Sequence, residues 1–300
     1  MTTTLQVSVI VPHAMRCAAA DLAAVARHVE DVGLDGVFVG DHLAATVPLA
    51  ESTLVLATAA AATSRIHVGF GVMVLALRHP AWAAKQVATL QQLSAGRVIL
   101  GVGLGGPMHG TAAWDAVSVP YRARAARTDA TLRVLRRLIA GEPTVLDNEA
   151  ELTLAPGVVP PPVWIGGGSA AARRRAAAHG DAWFPSLLAP AQLAAGATHL
   201  AQMCADQGGN DTPAIAIGGS ALLGEPRSRA ILDEHVAGLV DGYGIPPAIA
   251  STLPLTGPSQ QVADRLSAYA QAGAAHIVLG LIDDDWPTQC ELLAQAKTLT

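Results

Sequence analysis

The sequence has few of the residues that mark several large classes of protein. Three cysteines occur among 300 residues, at Cys17, Cys204 and Cys290. They lie too far apart for the spacing of a zinc site or a disulfide framework, and they suit a reducing cytoplasm. Aromatic residues make up 4% of the chain and charged residues 14%. We therefore expect an intracellular protein whose core is filled mainly by small aliphatic side chains.

Positive charge is also scarce. The formal net charge is -5 and no long basic run occurs, which argues against nucleic acid or an anionic membrane as the main partner. The first residues lack the basic region of a signal peptide, and no stretch of about 18 uninterrupted apolar residues indicates a membrane span. These patterns predict a cytoplasmic protein with no membrane segment.

Lysine and metal-binding patterns are nearly absent. The two lysines, Lys85 and Lys297, fall in predicted helices, so Schiff-base chemistry at a strand end is not expected. No HExxH or CxxC motif occurs, and Asp41 is the clearest carboxylate at a strand end, so no metal site is predicted. A chain so poor in reactive groups favours a cofactor that brings its own chemistry.

Short apolar runs alternate with longer alanine-rich amphipathic segments along the whole chain. Eight buried strands, each followed by a helix, predict parallel pairing. The fold class is therefore α/β, a single (β/α)8 TIM barrel domain over 1–300 with insertions after strands 4 and 7, and a doubly wound sheet is the alternative. The predicted strands are 5–11, 36–40, 65–74, 97–103, 163–167, 181–185, 213–219 and 275–282.

Histidines follow the first four predicted strands, where a barrel carries its active site. They are His13, His42, His79 and His109. His42 is the strongest candidate, because it closes the run "GVFVGDH" and follows Asp41 directly. An imidazole there would act as an acid or base, oriented by the neighbouring carboxylate. The alternative for each histidine is a surface or core position.

Two glycine motifs follow strands. "GVGLGG" (101–106) formally matches GxGxxG, but no acidic residue stands about 20 positions later to bind a ribose. We interpret it as a strand end left bare for a flat ring or its tail. "IGGGSAAARR" places glycines and then Ser169 at a helix start, where free N–H groups bind phosphate. Tight strand–helix packing is the alternative, and Arg173, Arg174 and Arg175 are expected to face solvent or a neighbouring element.

The motifs together resemble one family. The "T-x-R-I-x-V-G" start of strand 3, "HP-x-x-x-A-K", "ATL-x-x-LS-x-GR" and "LGVG-x-G" occur in one continuous stretch. "VFVGDH" precedes it, and "PPPVWIGGGS" and "GPSQQVADRLSAYAQAGAAHIVLG" follow. The chain resembles the luciferase-like flavin and deazaflavin oxidoreductases over nearly its whole length.

The resemblance implies a barrel, usually dimeric, with a flavin-type cofactor at its mouth. Composition and the stretch "VMVLALRHP" favour coenzyme F420, and FMN is the alternative. His42 would be the acid/base beside the ring, with Asp41 next to it, and a cis peptide bond would join Gly71 and Val72. The remaining cofactor-binding residues implied by the family pattern are Gly103, Leu104 and Gly105 at the ring or tail, and Gly166, Gly167, Gly168 and Ser169 at the phosphate.

Two departures from the family pattern affect the functional prediction. The loop after His42 is short, and Gly106 stands where an acidic residue is frequent, with Asp129 where the next helix often has Glu. The leading prediction is an F420-dependent oxidoreductase that moves a hydride to or from a small organic substrate. The alternatives are an FMN-dependent monooxygenase that needs a flavin reductase and oxygen, a non-catalytic flavin-binding relative, and a redox-neutral epimerase. The sequence leaves the substrate open.

Overall fold

Eight parallel strands close into a barrel. The computed structural model describes residues 4–12, 19–45, 48–106, 110–206, 208, 211–224, 229–283 and 285–300. The barrel runs in the order β1-β2-β3-β4-β7-β8-β9-β11, and both β8–β9 and β11–β1 pair in parallel. Its strands are β1 (Gln6–Ile10), β2 (Gly36–Val39), β3 (His67–Val74), β4 (Val98–Gly103), β7 (Val163–Gly166), β8 (Ala182–Phe184), β9 (Ala214–Leu223) and β11 (Ala274–Leu281). The predicted (β/α)8 barrel is therefore confirmed.

Helices cover the outside of the barrel. Within the described ranges, none combines the length and hydropathy needed to cross a membrane. The helices are α1 (Ala19–Asp31), α2 (Ser52–Ala62), α3 (Pro80–Leu93), α4 (Ala112–Ala116), α5 (Arg124–Ile139), α6 (Ala170–His179), α7 (Pro190–Asp206), α8 (Arg229–Tyr243), α9 (Pro247–Ala250), α10 (Ser259–Gln271) and α11 (Trp286–Thr298).

Insertions follow β4 and β9, as the sequence predicts. The first holds α4, α5 and a hairpin of β5 (Thr144–Val145) and β6 (Glu151–Leu152). The second holds α8, α9 and β10 (Leu255–Gly257), which pairs in parallel with the end of β9. These three short strands are not predicted from the sequence, because two or three residues are too few to show a periodicity.

Side chains from alternate strand positions fill the barrel interior. Phe38, Trp164 and Phe184 form its centre, with the Phe38 and Trp164 rings 5.7 Å apart and stacked, and Trp164 and Phe184 5.3 Å apart edge to face. Gly69 leaves space for the Phe38 ring, since an added Cβ would lie 2.2 Å from it. These three aromatic side chains thus give the barrel interior an apolar centre.

Two family motifs build the amino-terminal end of the barrel. The Glu30 carboxylate accepts hydrogen bonds from the backbone N–H groups of Ser64, Arg65 and Ile66, at the start of β3. The Arg97 guanidinium donates to the carbonyls of Ala60 and Thr63, at the end of α2. "T-x-R-I" and "LS-x-GR" therefore hold a helix end and two strand starts in place, on the face opposite the mouth.

His276 belongs to the same interior. Its Nε2 lies 2.7 Å from the Ser8 hydroxyl, and burial, with the charges of His67 and Lys297, lowers its pKa to about 3. The ring is 5.0 Å from Trp164, edge to face. This histidine is a neutral core residue.

Candidate active site

His42 and the end of β3 come together at the barrel mouth, the end of the barrel formed by the carboxyl ends of the strands. The exposed His42 imidazole folds back over the end of β2, since a Cβ added to Gly40 would lie 3.1 Å from His42 Nε2. The same position is 3.9 Å from the carbonyl oxygen of Gly71. A titratable ring therefore borders the backbone of the third strand at the carboxyl ends of the strands, where barrels carry chemistry.

Asp41 is buried next to His42 in the chain, and each oxygen of its carboxylate accepts two hydrogen bonds. Its Oδ1 accepts hydrogen bonds from the Ser52 hydroxyl and Arg78 Nη2, both at 2.8 Å. Its Oδ2 accepts from the Val74 N–H at 2.9 Å and from Arg78 Nη1 at 2.5 Å. Four donors on one carboxylate tie the end of β2 to β3 and to the start of α2, which fixes the backbone that carries His42.

The peptide bond between Gly71 and Val72 is cis, as the family resemblance predicts. The pairing of β3 with β4 changes register between Phe70 and Met73, so the strand bulges at this dipeptide. Val72 is half-buried at the mouth, next to the interior cluster.

The side chain of Val72 occupies the space above two strand-end glycines. A Cβ on Gly103 would lie 2.2 Å from Val72 Cγ2, and one on Gly166 would lie 3.1 Å from Val72 Cγ1. At Gly101 the nearest atom is the Phe70 carbonyl oxygen, at 2.0 Å. These glycines make room for the protein's own third strand. The interpretation of "GVGLGG" as a strand end left bare for a flat ring or its tail stays a prediction, and the packing of Val72 is a further reason for glycine at these positions.

This packing predicts that a smaller side chain at position 72 reduces the loss of stability caused by Gly103→Ala. Gly103→Ala should lower the free energy of unfolding by about 1–3 kcal/mol, because the new methyl overlaps Val72 Cγ2. In a Val72→Ala background the nearest atom is Cβ, at 3.3 Å, so the same substitution should cost less than about 1 kcal/mol. Urea denaturation of both variants and the double variant measures the coupling. Gly106→Ala is the control, since nothing lies within 4 Å of its added Cβ; equal costs in both backgrounds would contradict this packing.

The rest of the loop after β4 packs against a short helix. Gly105 has φ +71°, and its Cβ direction meets the Trp114 ring at 2.9 Å and Val74 at 3.2 Å. Leu104 is half-buried between Gly103 and Gly105. Trp114 therefore fixes the path of this loop, so the glycine at 105 meets a steric requirement of the fold.

The glycine segment after β7 is open. Gly167 has φ +107°, a conformation that favours glycine, and the Cβ direction of Gly168 meets only Leu188, at 3.9 Å. Both glycines and Ser169 are exposed. The Ser169 hydroxyl accepts from the Ala172 N–H at 3.1 Å and caps α6, as predicted. Within the described part of the chain, the next two backbone N–H groups, at 170 and 171, have no acceptor, so this helix start can bind an anion.

The arginines of α6 support this segment from behind. Arg173 donates to the Gly168 carbonyl at 2.9 Å, with its guanidinium 5.5 Å from the Trp183 ring centre. Arg175 pairs with Asp129 of α5, with Nε–Oδ1 at 2.5 Å and Nη2–Oδ2 at 3.1 Å. Asp129 is thus committed to holding α5 against α6. Both arginines contact neighbouring elements, in accord with the prediction.

Other candidates lie outside this constellation. The His79 imidazole accepts from the Ala81 N–H and caps α3. His13 and His109 lie outside the described residues. Sequence reasoning missed two mouth residues, Ser220 of β9 and His235 of α8, because a serine inside a strand and a histidine inside a helix carry no motif. Among the described residues, no group of three or more His, Cys, Asp or Glu side chains is arranged to hold a metal ion.

Comparisons with known proteins agree with this architecture. Residues 6–244 match the family model described as luciferase-like monooxygenase. A protein named F420-dependent glucose-6-phosphate dehydrogenase, from Kineococcus radiotolerans, is 37% identical over 134 residues. That alignment covers 43% of this chain and 39% of the relative, so the chain spans about two-fifths of the relative's length.

Solved structures show the same fold at low identity. An F420-dependent secondary alcohol dehydrogenase in complex with an F420–acetone adduct superposes with a TM-score of 0.81 at 18% identity, covering 98% of both chains. The oxygenating constituent of 3,6-diketocamphane monooxygenase from Pseudomonas putida, in complex with FMN, gives a TM-score of 0.75 at 17% identity, covering 98% of this chain and 97% of that one.

Proposed function

Because the chain belongs to the luciferase-like monooxygenase family, we propose that it is an oxidoreductase that transfers a hydride between coenzyme F420 and a small organic substrate. The observation that carries the proposal is that His42 and the cis Gly71–Val72 peptide both lie near Gly40 at the ends of β2 and β3, with an exposed phosphate-type cradle at the end of β7. Relatives named as F420-dependent enzymes support the choice of cofactor.

The residues at the mouth fit such a cofactor. Gly167, Gly168 and Ser169 form an exposed cradle at the start of α6, and an added Cβ at Gly168 would meet only Leu188, at 3.9 Å. Gly166 and the β4 loop of Gly103, Leu104 and Gly105 border the space between the cradle and Val72. Coenzyme F420 supplies the hydride chemistry when bound.

The chain itself supplies orientation and a proton. Val72 presents its branched side chain to the mouth and supports the ring from one side. His42 exchanges a proton with the substrate oxygen as the hydride moves. Asp41, with its four hydrogen bonds, acts as a positioning residue that keeps the backbone of His42 in register with β3.

A fluorescence titration against F420 and FMN, side by side, tests the proposal. F420 should bind at least tenfold more tightly than FMN. Gly168→Ala should weaken F420 binding tenfold or more, because a methyl group is added to the proposed cradle, and it should change thermal stability little, because the methyl meets only Leu188 at 3.9 Å. Gly238→Ala, on the exposed face of α8, is the matched control and should bind as the parent does. Tighter binding of FMN would favour a monooxygenase that needs a reductase, and tight F420 binding with no turnover would favour a non-catalytic relative.

We also propose that the protein forms a homodimer through α2 and α3. Three large apolar side chains on these adjacent helices are strongly exposed: Leu54 is 69% exposed, Trp82 70% and Leu93 63%. Helix α2 has no charged residue, and the polar side chains in its sequence STLVLATAAAA are three hydroxyls. An apolar face of this kind on a surface helix is typical of a protein–protein contact, and a second copy of the chain is the partner that family membership supports.

Trp82→Glu should convert the protein from a dimer to a monomer of 30.6 kDa, because a carboxylate would be buried without a partner in the interface. Light scattering coupled to size-exclusion chromatography measures the mass. Val159→Glu is the control, since Val159 is 82% exposed but lies outside this face. A parent protein that is already monomeric at micromolar concentration would contradict the proposal.

A further inference from the structure

A serine and a histidine meet at the mouth on the insertion side. Ser220 Oγ of β9 lies 2.8 Å from His235 Nε2 of α8. Neither residue belongs to the family motifs or to the cofactor cradle. A hydroxyl held by an imidazole is a reactive or recognition pair wherever it faces a ligand space, so its orientation decides what it can do.

Ser220 faces the barrel interior. Alternate residues of a strand point to the same side, and Ala216 packs in the interior cluster of Phe38 and Trp164. A Cβ on Gly218 would approach Ser186 at 3.3 Å and the Phe184 ring at 3.7 Å, so position 218 also faces inward. Ser220 is the next inward position toward the carboxyl end. It is 6% exposed and pairs across the sheet with Gly280, whose lack of a side chain leaves the space beside the hydroxyl open.

Helix α8 holds His235 over this position. The following turn packs Val236 and Leu239 with Leu187, from the loop after β8, in a small apolar cluster. His235 is half-buried, and burial lowers the pKa of its imidazole. The pair is therefore an uncharged hydroxyl and a neutral imidazole at neutral pH.

Such a pair recognises an uncharged oxygen. Together the hydroxyl and the neutral ring offer one N–H or O–H donor and one acceptor to a ligand. A phosphate or carboxylate needs a cation or several donors. Both lysines are committed elsewhere: Lys85 donates to the Ala155 carbonyl, and Lys297 contacts Asp35 and the Gly33 carbonyl near the amino-terminal end of the barrel. The two lysines thus lie away from the pair, and the arginine described at the mouth, Arg78, is already paired with Asp41.

We propose that Ser220 and His235 form a substrate-specificity subsite that binds the hydroxyl or carbonyl oxygen of an uncharged alcohol or ketone. This rests on the proposed function, since the pair faces the space in which hydride transfer is placed. The substrate class then differs from the sugar phosphate named for the relative from Kineococcus radiotolerans, even though the scaffold is shared.

Steady-state kinetics of the F420-loaded protein with 2-propanol, cyclohexanol and glucose 6-phosphate test the assignment. The two alcohols should be oxidised and glucose 6-phosphate should not. Ser220→Ala and His235→Phe should each raise KM for the alcohols tenfold or more, with kcat within threefold and F420 affinity unchanged. Calorimetric binding of cyclohexanol to the F420-loaded protein should weaken by the same factor, which gives a readout that does not depend on turnover.

Ser259→Ala is the matched control. Its hydroxyl is equally buried and hydrogen-bonds to Gln295 at 2.9 Å, but it joins α10 to α11 on the outside of the barrel. Preference for glucose 6-phosphate, no binding of either alcohol, or parental KM values in both mouth variants would overturn the subsite. If the variants have a lower melting temperature but the parental KM, the Ser220–His235 pair only anchors α8 to the barrel, and this result also overturns the subsite. If the protein binds no F420, the proposed function is wrong, but the subsite is still testable. Calorimetry on the unloaded protein then compares the affinity for cyclohexanol of the parent with that of Ser220→Ala.

Discussion

Replacing Asp41 with alanine is expected to lower the free energy of unfolding by about 3–5 kcal/mol. The Asp41 side chain is 4% exposed and that of Arg78 is 17% exposed, so the substitution leaves a largely buried guanidinium without its main partner. It also leaves the Val74 N–H and the Ser52 hydroxyl without their hydrogen-bond acceptor at a buried position. Urea denaturation followed by circular dichroism measures the change.

Two further substitutions make the result interpretable. Asp41→Asn keeps the shape and part of the hydrogen bonding, so its cost should fall between those of the parent and the alanine variant. Glu142→Ala breaks the Arg137–Glu142 pair, whose side chains are both more than half exposed, and should change stability by less than about 0.5 kcal/mol. If Asp41→Ala and Glu142→Ala cost the same, the buried pair does not stabilise the mouth.

The Asp41–Arg78 pair shows where sequence reasoning ends. "VFVGDH" and "VMVLALRHP" are separate motifs in the sequence, which predicts only that the Asp41 carboxylate orients His42. The structure joins them through one carboxylate and one guanidinium that lie 37 positions apart. The sequence alone does not predict that Asp41 and Arg78 form a pair, because the contact depends on how two strand ends meet after the barrel closes.

The strands themselves were predictable because each is a continuous apolar run, as buried parallel strands require. The short strands β5, β6 and β10 lack such a run and were missed. The glycine positions are predicted from the sequence, but the contact between Gly103 and the Val72 side chain is not, because it depends on the bulge of β3. Ser220 and His235 carry no motif at all, so only the folded chain brings them together.

His42→Gln is expected to lower kcat by about 100- to 10,000-fold, the range contributed by a positioned acid or base. Glutamine keeps a hydrogen-bonding group of similar size but cannot exchange a proton, so the loss isolates proton transfer from packing. The F420 dissociation constant should stay within twofold of the parent, because the cradle around Ser169 is on the other side of the mouth. Stopped-flow measurement of F420 reduction with the best alcohol substrate measures the chemical step directly.

His79→Gln separates this effect from the general loss of a strand-end histidine. His79 also follows a barrel strand, but its ring caps α3 through the Ala81 N–H, so its replacement should leave kcat within twofold and slightly lower stability. Equal losses in the two variants would point to a structural role for both rings. Unchanged turnover in His42→Gln would remove the acid/base assignment and leave Asp41, with its four donors, as an anchor for a mouth whose proton comes from elsewhere.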